Sequence, residues 1–583
     1  MRIAVAAGRD GGGALRRLDD RGAPAGPVET VADLVAAIAD RERADAPRWV
    51  WPSTARLYPA LLDAGVRVAR CHDLELVEGL LLGHAGRHGE PRSVRAAWAR
   101  LHGLPVPADP PPPREAQPQG LLFDDVADDV TEGPGARAGD RTAHAGDDEL
   151  EQVVAVHAEQ RRRMAELPGF ALLAAAESAG ALVAAELSHD GLPWSAERHD
   201  AVLTELLGPR PTGGMRPRRL QALADRISEA FGLRTPVNPD SPAQILKAFA
   251  SVGLPVTSTR AHVLKRIDHP AVPLLLEYKE LSRLHTAHGW SWLDTWVSGG
   301  RFRPEYVVGG VVSGRWATSG GGALQIPRVL RKAAVADPGW SLVVADAAQL
   351  EPRVLAALAG DRAFAAAAAQ GDLYEALSEA FRGTATGERS ARDQAKIALL
   401  SAMYGGGTGE AVRLLAVLRS RFPQAFDYVE AAARAGERGD LVRSRLGRTC
   451  PPPSDGWRRL TTAGDGDGDT PSPEDDRSHT VTAAQALRSR GRFTRNFVVQ
   501  ATAAEWALIL LATLRRRLAE LGPPRLVFFQ HDEVIVHTPD GLAEDVAAAV
   551  HASAEEAGRL LFGRTPVVFP MGIAIVGSYA DAK

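Results

Sequence analysis

Two acidic positions lie against apolar runs: Asp346 closes SLVVAD (341–346), and Asp532 and Glu533 fall between RLVFFQ (525–530) and VIVHT (534–538). A lone acid after a strand is usually a turn residue or a helix cap. The second case is odder, because His531-Asp532-Glu533 contains none of the Gly, Asn or Pro that a generic hairpin uses. Carboxylates on neighbouring strands suit a pair of divalent cations about 3.5–4 Å apart, which clamp the attacking and leaving oxygens of a phosphoryl transfer.

Three further constellations carry polar side chains at useful spacing. In ARDQAKIALLSAMYGG, Arg392, Lys396, Leu400 and Tyr404 recur every four residues and so share one slowly drifting helix face. Arg and Lys one turn apart could hold a triphosphate, Arg by paired hydrogen bonds and Lys as a point charge. A solvated helix with two cations is the bland alternative. In GRFTRNFVVQATAAEW, Arg492, Asn496 and Gln500 repeat in the same way. Such side chains can donate to the acceptors that every base pair presents in the minor groove, although a plain polar face would look alike. Arg315 stands in VVSGRWATSGGGALQIP, a Gly/Ser-rich loop able to follow a backbone.

The elements that must position these residues are helices around a small antiparallel sheet, following an α/β region. Strands are expected at 306–312, 341–346, 525–530 and 534–538. Helices are expected across 150–208, at Ser241–Phe249 behind a Ser-Pro start, and at Leu274–His288. A Pro- and acid-rich passage from Pro105 to about Gly146 reads as a linker, and GDGDGDTPSPEDD (464–476) as a disordered insertion within about 462–479. At 583 residues the chain needs several cores. Two distant cysteines, Cys71 and Cys450, support neither a disulfide framework nor a cysteine zinc site, and suggest a cytoplasmic setting. The N-terminus lacks the apolar core of a secretion signal, and runs such as Trp506–Leu514 are too short to span a bilayer. A net charge of -4 argues against coating nucleic acid by bulk charge but leaves room for a local basic cleft.

Together and in this order, the segments resemble the family A DNA polymerases, of the DNA polymerase I type. SGRWATSGGGALQIP looks like the family's TGR…LQNIP segment, VADAAQLEPR resembles motif A, RDQAKIALLSAMYGG motif B and QHDE motif C. SPAQILKAF and LEYKELSRLHTAH look like its thumb-entry pattern. The resemblance implies an α/β (α+β) chain: a degenerate ribonuclease H-like exonuclease domain (1–149), then a right hand with thumb helices at 150–300 and palm and fingers at 301–583, the fingers at about 360–450. It also implies two Mg²⁺ ions on Asp346 and Asp532, replaceable by Mn²⁺, with Glu533 assisting. Arg392 and Lys396 would hold the dNTP triphosphate, Lys396 protonating the leaving pyrophosphate. Tyr404 would meet the template base, and Glu351 would crowd the sugar 2′ position. Gln349 and Leu400 would also line the nucleotide pocket, and Arg315, Arg492, Asn496, Gln500 and His531 would contact primer–template DNA. The implied reaction is dNTP addition to a primer 3′-hydroxyl, in DNA repair or replication gap filling; a monomer is the default expectation, and the hydropathy suggests no membrane association.

Departures from the pattern are Ala347 after the motif A aspartate, Pro352 after Glu351, Leu400 in place of an aromatic and Ser401 where Gly is common. The N-terminal region is similar to the family's 3′–5′ exonuclease domain in scaffold alone. CHDLELVEGLLLG matches, but the paired Asp-x-Glu of the first strand, the Asn-x-x-x-Asp before Cys71 and the late Tyr-x-x-x-Asp are missing. Asp73 by itself cannot hold two metals, so no proofreading is expected, and a 5′-nuclease domain has no room. Two other readings compete: a single-subunit RNA polymerase, disfavoured by Glu351 and LQIP, and a non-catalytic primer–template-binding factor, disfavoured by the intact Asp346, Asp532, Arg392 and Lys396.

Overall fold

The computed structural model describes residues 1–8, 10–111, 147–233, 235–379, 390–405, 410–462 and 482–582. Most of the expected linker, the expected insertion from 463 on, and Gly406 and Gly407 lie outside the described residues.

The N-terminal sheet has the order β3-β2-β1-β4-β5, from β1 (Arg2–Ala7), β2 (Gly13–Leu18), β3 (Pro24–Val31), β4 (Arg48–Trp51) and β5 (Arg70–Asp73). β1 to β3 are antiparallel, whereas β4 and β5 run parallel to β1. Parallel neighbours need crossovers, and here these are helices α1 (Leu34–Asp45) and α2 (Thr54–Asp63). Strand alternation sends Ile3 and Val5 to one face, with Trp49 and Leu61, and Ala4 and Ala6 to the other. The second face is covered by α3 (Leu74–His84), α4 (Val94–Leu101) and α5 (Asp147–Ala165). Helix α5 lies partly beyond the expected boundary at 149, yet Leu150, Val153 and Val156 pack under this sheet.

Helix α6 (Phe170–Asp190) then passes through the middle of the molecule, touching α2 and β5 on one side and the C-terminal half on the other. Next come α7 (Ala196–Leu207), α8 (Arg218–Ala230), α9 (Pro242–Ser251), α10 (Ala261–Leu264), α11 (Ala271–His288) and α12 (Trp290–Trp296). Ser241 caps α9 by accepting from the Gln244 N–H, as its Ser-Pro start predicts. These helices share a core with one face of the carboxylate-bearing sheet, through Leu342, Val344, Phe528 and Ile535.

Short strands β6 (Leu192–Pro193), β7 (Val297–Ser298) and β8 (Arg301–Phe302) form one ribbon, and β9 (Glu305–Val307) with β10 (Ala317–Gly320) another. The strand expected over 306–312 stops at Val307, because Gly309 (φ 62°) and Gly314 (φ 86°) turn the chain in the left-handed region. The main sheet is β12-β13-β11-β14, from β11 (Trp340–Ala347), β12 (Arg525–Gln530), β13 (Glu533–Pro539) and β14 (Met571–Val576), with every neighbour antiparallel. Between β11 and β12 lie α13 (Leu350–Ala359), α14 (Arg362–Ala368), α15 (Leu373–Ser378), α16 (Ala391–Tyr404), α17 (Glu410–Arg421), α18 (Pro423–Glu437), α19 (Asp455–Thr462) and α20 (Ala483–Leu521). Helix α21 (Ala543–Phe562) backs the sheet.

One expectation needs correction. Helices α6 and α20 are long and apolar enough to cross a membrane, although Trp506–Leu514 by itself is short. Their apolar windows are 72% and 89% buried inside the protein, which accounts for the hydrophobicity as that of core helices.

Candidate active site

The palm-like sheet brings the two acidic positions together by register. Asp346 on β11 stands directly opposite Glu533 on β13, and the Ala347 N–H donates to the Asp532 carbonyl at 3.1 Å. Gln530 pairs with Glu533, so the hairpin loop is just His531 and Asp532. Two-residue hairpins favour positive φ at the loop, and His531 takes it at φ 58°. That conformation costs a non-glycine residue roughly 1–2 kcal/mol, so the loop keeps His531 and Asp532 against local preference. Glu533 is therefore not a tip residue. It is the first residue of β13, 3% exposed, and accepts from the Tyr579 hydroxyl.

Asp532 is pushed up to about 7, first by burial and then by the nearby Asp346 carboxylate, with Glu351 adding to it and the Arg315 guanidinium opposing. Two carboxylates are thus crowded in a poorly solvated place with one arginine for relief. A divalent cation would remove this like-charge penalty, and carboxylate oxygens are the donors that hard cations such as Mg²⁺ prefer. Among the described residues no group of three or more His, Cys, Asp or Glu is gathered as a metal cage. A site built on two carboxylates leaves coordination positions for water or substrate.

Arg315, Glu351 and Tyr404 form one unit. The Arg315 guanidinium pairs with one Glu351 oxygen, and the Tyr404 hydroxyl donates to the other. Three separate chain segments, the Gly-rich loop, the start of α13 and the end of α16, therefore meet at one carboxylate. His531 lines a small cleft with Arg315, Trp316, Phe529, Ala504 and Ala507. Although His531 is exposed at the hairpin tip, loss of water on its cleft side, and then Arg315, push the imidazole down to about 4. It is neutral at physiological pH.

Helix α16 is capped by Ser390, whose hydroxyl accepts from the Asp393 N–H at 3.1 Å, and buries Ala395, Ala398, Leu399, Ala402 and Met403. The stripe Arg392, Lys396, Leu400, Tyr404 lies on the less buried side, with Lys396 exposed. Arg392 donates to Asp372 at 2.8 Å and stands over the Tyr374 ring at 5.6 Å. Leu400 packs at the edge of the main core. Helix α20 starts with a capping box of Thr482 and Gln485. Arg492 on it lies close against Gly405, just past Tyr404. Among the described residues the buried Asn496 Oδ1 has no hydrogen-bond partner, and Gln500 is half-buried one turn further along.

Gln349 is held in the turn that follows Asp346. Sitting at φ 56°, it donates to Asp372 at 2.7 Å and accepts from the Leu373 N–H at 2.9 Å and from Arg353 at 3.2 Å. Its role is to hold the turn between Asp346 and Glu351. Sequence reasoning missed both partners. Asp372 ties Gln349 to Arg392 and caps α15, and its signal was the cap pattern Gly-Asp-Leu. Arg353 is fully buried and donates to the carbonyls of Ala348, Ala368, Gln370, Gly371 and Val568. Its spacing of four from Gln349 was visible, but its carbonyl partners were not.

In the N-terminal sheet, Asp73 is 1% exposed. One of its oxygens caps α3 through the Leu76 N–H at 2.9 Å, and the other accepts from the Thr54 N–H at 2.7 Å. Ala4 and Ala6, on the β1 face beneath α5, are fully buried.

Comparison with known proteins agrees with this geometry. The model of DNA polymerase family A matches residues 215–574. The thermostable DNA polymerase I of Thermus thermophilus is 27% identical over 405 residues, covering 61% of this chain and 45% of that protein. DNA polymerase I of Chloroflexus aurantiacus is 27% identical over 335 residues, covering 53% and 32%. The chain thus spans less than half the length of these curated relatives. The polymerase domain of Pol1 from M. smegmatis, solved in complex with DNA primer-template and dNTP, has a TM-score of 0.68 at 18% identity, over 99% of this chain and 95% of that one, and so shares the fold. With the family model covering more than half of its residues and the family's motifs folded around one cleft, this chain belongs to DNA polymerase family A.

Proposed function

We propose that the chain is a DNA-templated DNA polymerase that extends a primer 3′-hydroxyl with dNTPs, in repair or gap filling, without proofreading. The observation that carries this reading is the crowding of Asp346 and Asp532, which raises Asp532 to about 7 beside His531, a residue that lines a small cleft with Arg315. Asp346 and Asp532 would hold two Mg²⁺ ions. When bound, these supply charge neutralisation at the attacking and leaving oxygens. Arg392 and Lys396 sit one turn apart on α16 to bind the triphosphate, and the exposed Lys396 ammonium is the proton donor for the departing pyrophosphate. Arg392 must first leave Asp372, so triphosphate binding and release of that contact are linked. Glu351, held from both sides by Arg315 and Tyr404, crowds the sugar 2′ position. Neutral His531, with Arg492, Asn496 and Gln500, faces the primer–template.

The absence of proofreading rests on the N-terminal sheet, where Ala4 and Ala6 occupy the strand face and both Asp73 oxygens cap helices. The test is primer extension on a recessed template with Mg²⁺ and dNTPs, beside Asp532→Ala and beside a single-stranded 3′ end without dNTPs. Extension by the wild type alone, with the single strand left intact, supports the reading. No extension favours a primer–template-binding factor, and shortening of the strand overturns the proofreading statement.

A further inference from the structure

The Arg315–Glu351–Tyr404 unit depends on where the Gly-rich loop places Arg315, and that loop is packed on a buried ion pair from two distant parts of the chain. Arg448 follows a tight turn in which the Ser444 N–H donates to its carbonyl at 2.8 Å and the Cys450 N–H donates to Val442 at 2.9 Å. From there its guanidinium reaches Glu177 on α6 at 2.6 Å, and both side chains are buried. Two glycine backbones fit around this pair. Gly314, at φ 86°, lies so close that a Cβ would strike the Arg448 guanidinium. Gly309, at φ 62°, would bring one to 2.7 Å from Glu177 Oε1. Between them the chain closes a turn, with the Val311 N–H donating to Arg315 at 3.1 Å and the Gly314 N–H to Val311 at 2.7 Å. Arg315 is the next residue. A buried ion pair contributes little net stability against an apolar replacement, but removing one partner is strongly destabilising because it leaves the other charge buried and uncompensated.

We propose that the buried Arg448–Glu177 pair is a positioning element that fixes the 311–315 turn, presents Arg315 to Glu351 and Tyr404, and so sets how strictly the nucleotide pocket reads the sugar. This rests on the polymerase reading for its sugar-selectivity part. The loop-fixing part stands on geometry alone.

The test uses the full chain with Arg448→Met and Glu177→Gln, singly and in an Arg315→Ala background. Hydrogen–deuterium exchange reads the peptide spanning 309–317, and the ratio of kcat/KM for dNTP over rNTP reads the pocket. Exchange in that peptide rises about tenfold, with α11 unchanged, and the dNTP preference falls about tenfold, the size expected for residues in one network. In the Arg315→Ala background the second substitution adds less than about twofold, because its route to the pocket is already cut. Unchanged exchange, or full additivity of the two selectivity losses, overturns the proposal. If Arg448→Met does not fold, Glu177→Gln, which keeps an acceptor for Arg448, carries both readouts. A wild type that extends no primer sinks the polymerase reading, while the exchange measurement still decides whether the pair fixes the loop.

Discussion

Glu505→Gln should make the protein more stable at high pH and leave it nearly unchanged in acid. Glu505 is fully buried in the middle of α20 and accepts from the Ser444 hydroxyl and from the Leu446 N–H at 3.1 Å. Burial pushes it from 4.5 up to about 7, against the partial relief of those hydrogen bonds and of Arg448, and Tyr428 also senses its charge. The folded chain therefore holds this proton more tightly than the unfolded chain. Its contribution is fully present below pH 4.5, is lost as pH rises towards about 7, and is constant above. At about 1.4 kcal/mol per pH unit, the displacement corresponds to about 3 kcal/mol. The glutamine oxygen keeps an acceptor for Leu446 and its amide can donate to the Ser444 oxygen, so about 2–3 kcal/mol should remain as a gain above pH 7. Urea unfolding of both proteins, followed by circular dichroism from pH 4.5 to 8.5, reads this directly. The two stabilities should diverge between pH 4.5 and about 7 and run parallel from there to pH 8.5. A difference independent of pH would refute the argument that desolvation, not packing, governs this residue.

Asp532→Asn should lower primer extension by about 10²–10³-fold or more, as loss of a preorganised charge site does. Thermal melting should show no loss of stability above pH 7, since the substitution removes a crowded charge. Arg353→Met strands several buried carbonyls and should cost at least about 3 kcal/mol in denaturant unfolding, because each unsatisfied buried group costs about 1–3 kcal/mol. Arg515 on α20 donates to Glu186 on α6 at 2.7 and 2.9 Å and to the Val68 carbonyl at 2.5 Å, and Tyr58 joins the same carboxylate at 2.5 Å. Arg515→Met leaves Glu186 buried with a weakened partner set and should cost about 3–5 kcal/mol. Limited proteolysis should then cut the N-terminal sheet earlier than the wild type.

The chemistry-bearing residues were legible because each motif is local. Asp346 and Asp532 sit at the ends of apolar runs that can only be strands, and Arg392 to Tyr404 share a face through helical period alone. Strands β11, β12 and β13 formed where the apolar runs lie. What the sequence could not supply was any relation between side chains far apart in the chain. Gln349 lies close to Asp346 and Glu351 in sequence, but its bonds to Asp372 and Arg353 appear only in the folded turn. The 306–312 run looked like one strand because its valines are β-formers, yet the two glycines close on a salt bridge whose partners lie at 177 and 448. Burial set by α6 and α20 decided which apolar helices are core, and the meeting of β11 with the 531–532 turn decided that two ordinary aspartates share one desolvated site. Local period and composition are properties of the chain, whereas desolvation, charge crowding and long-range pairing exist only once the fold has removed water from between residues that the sequence keeps apart.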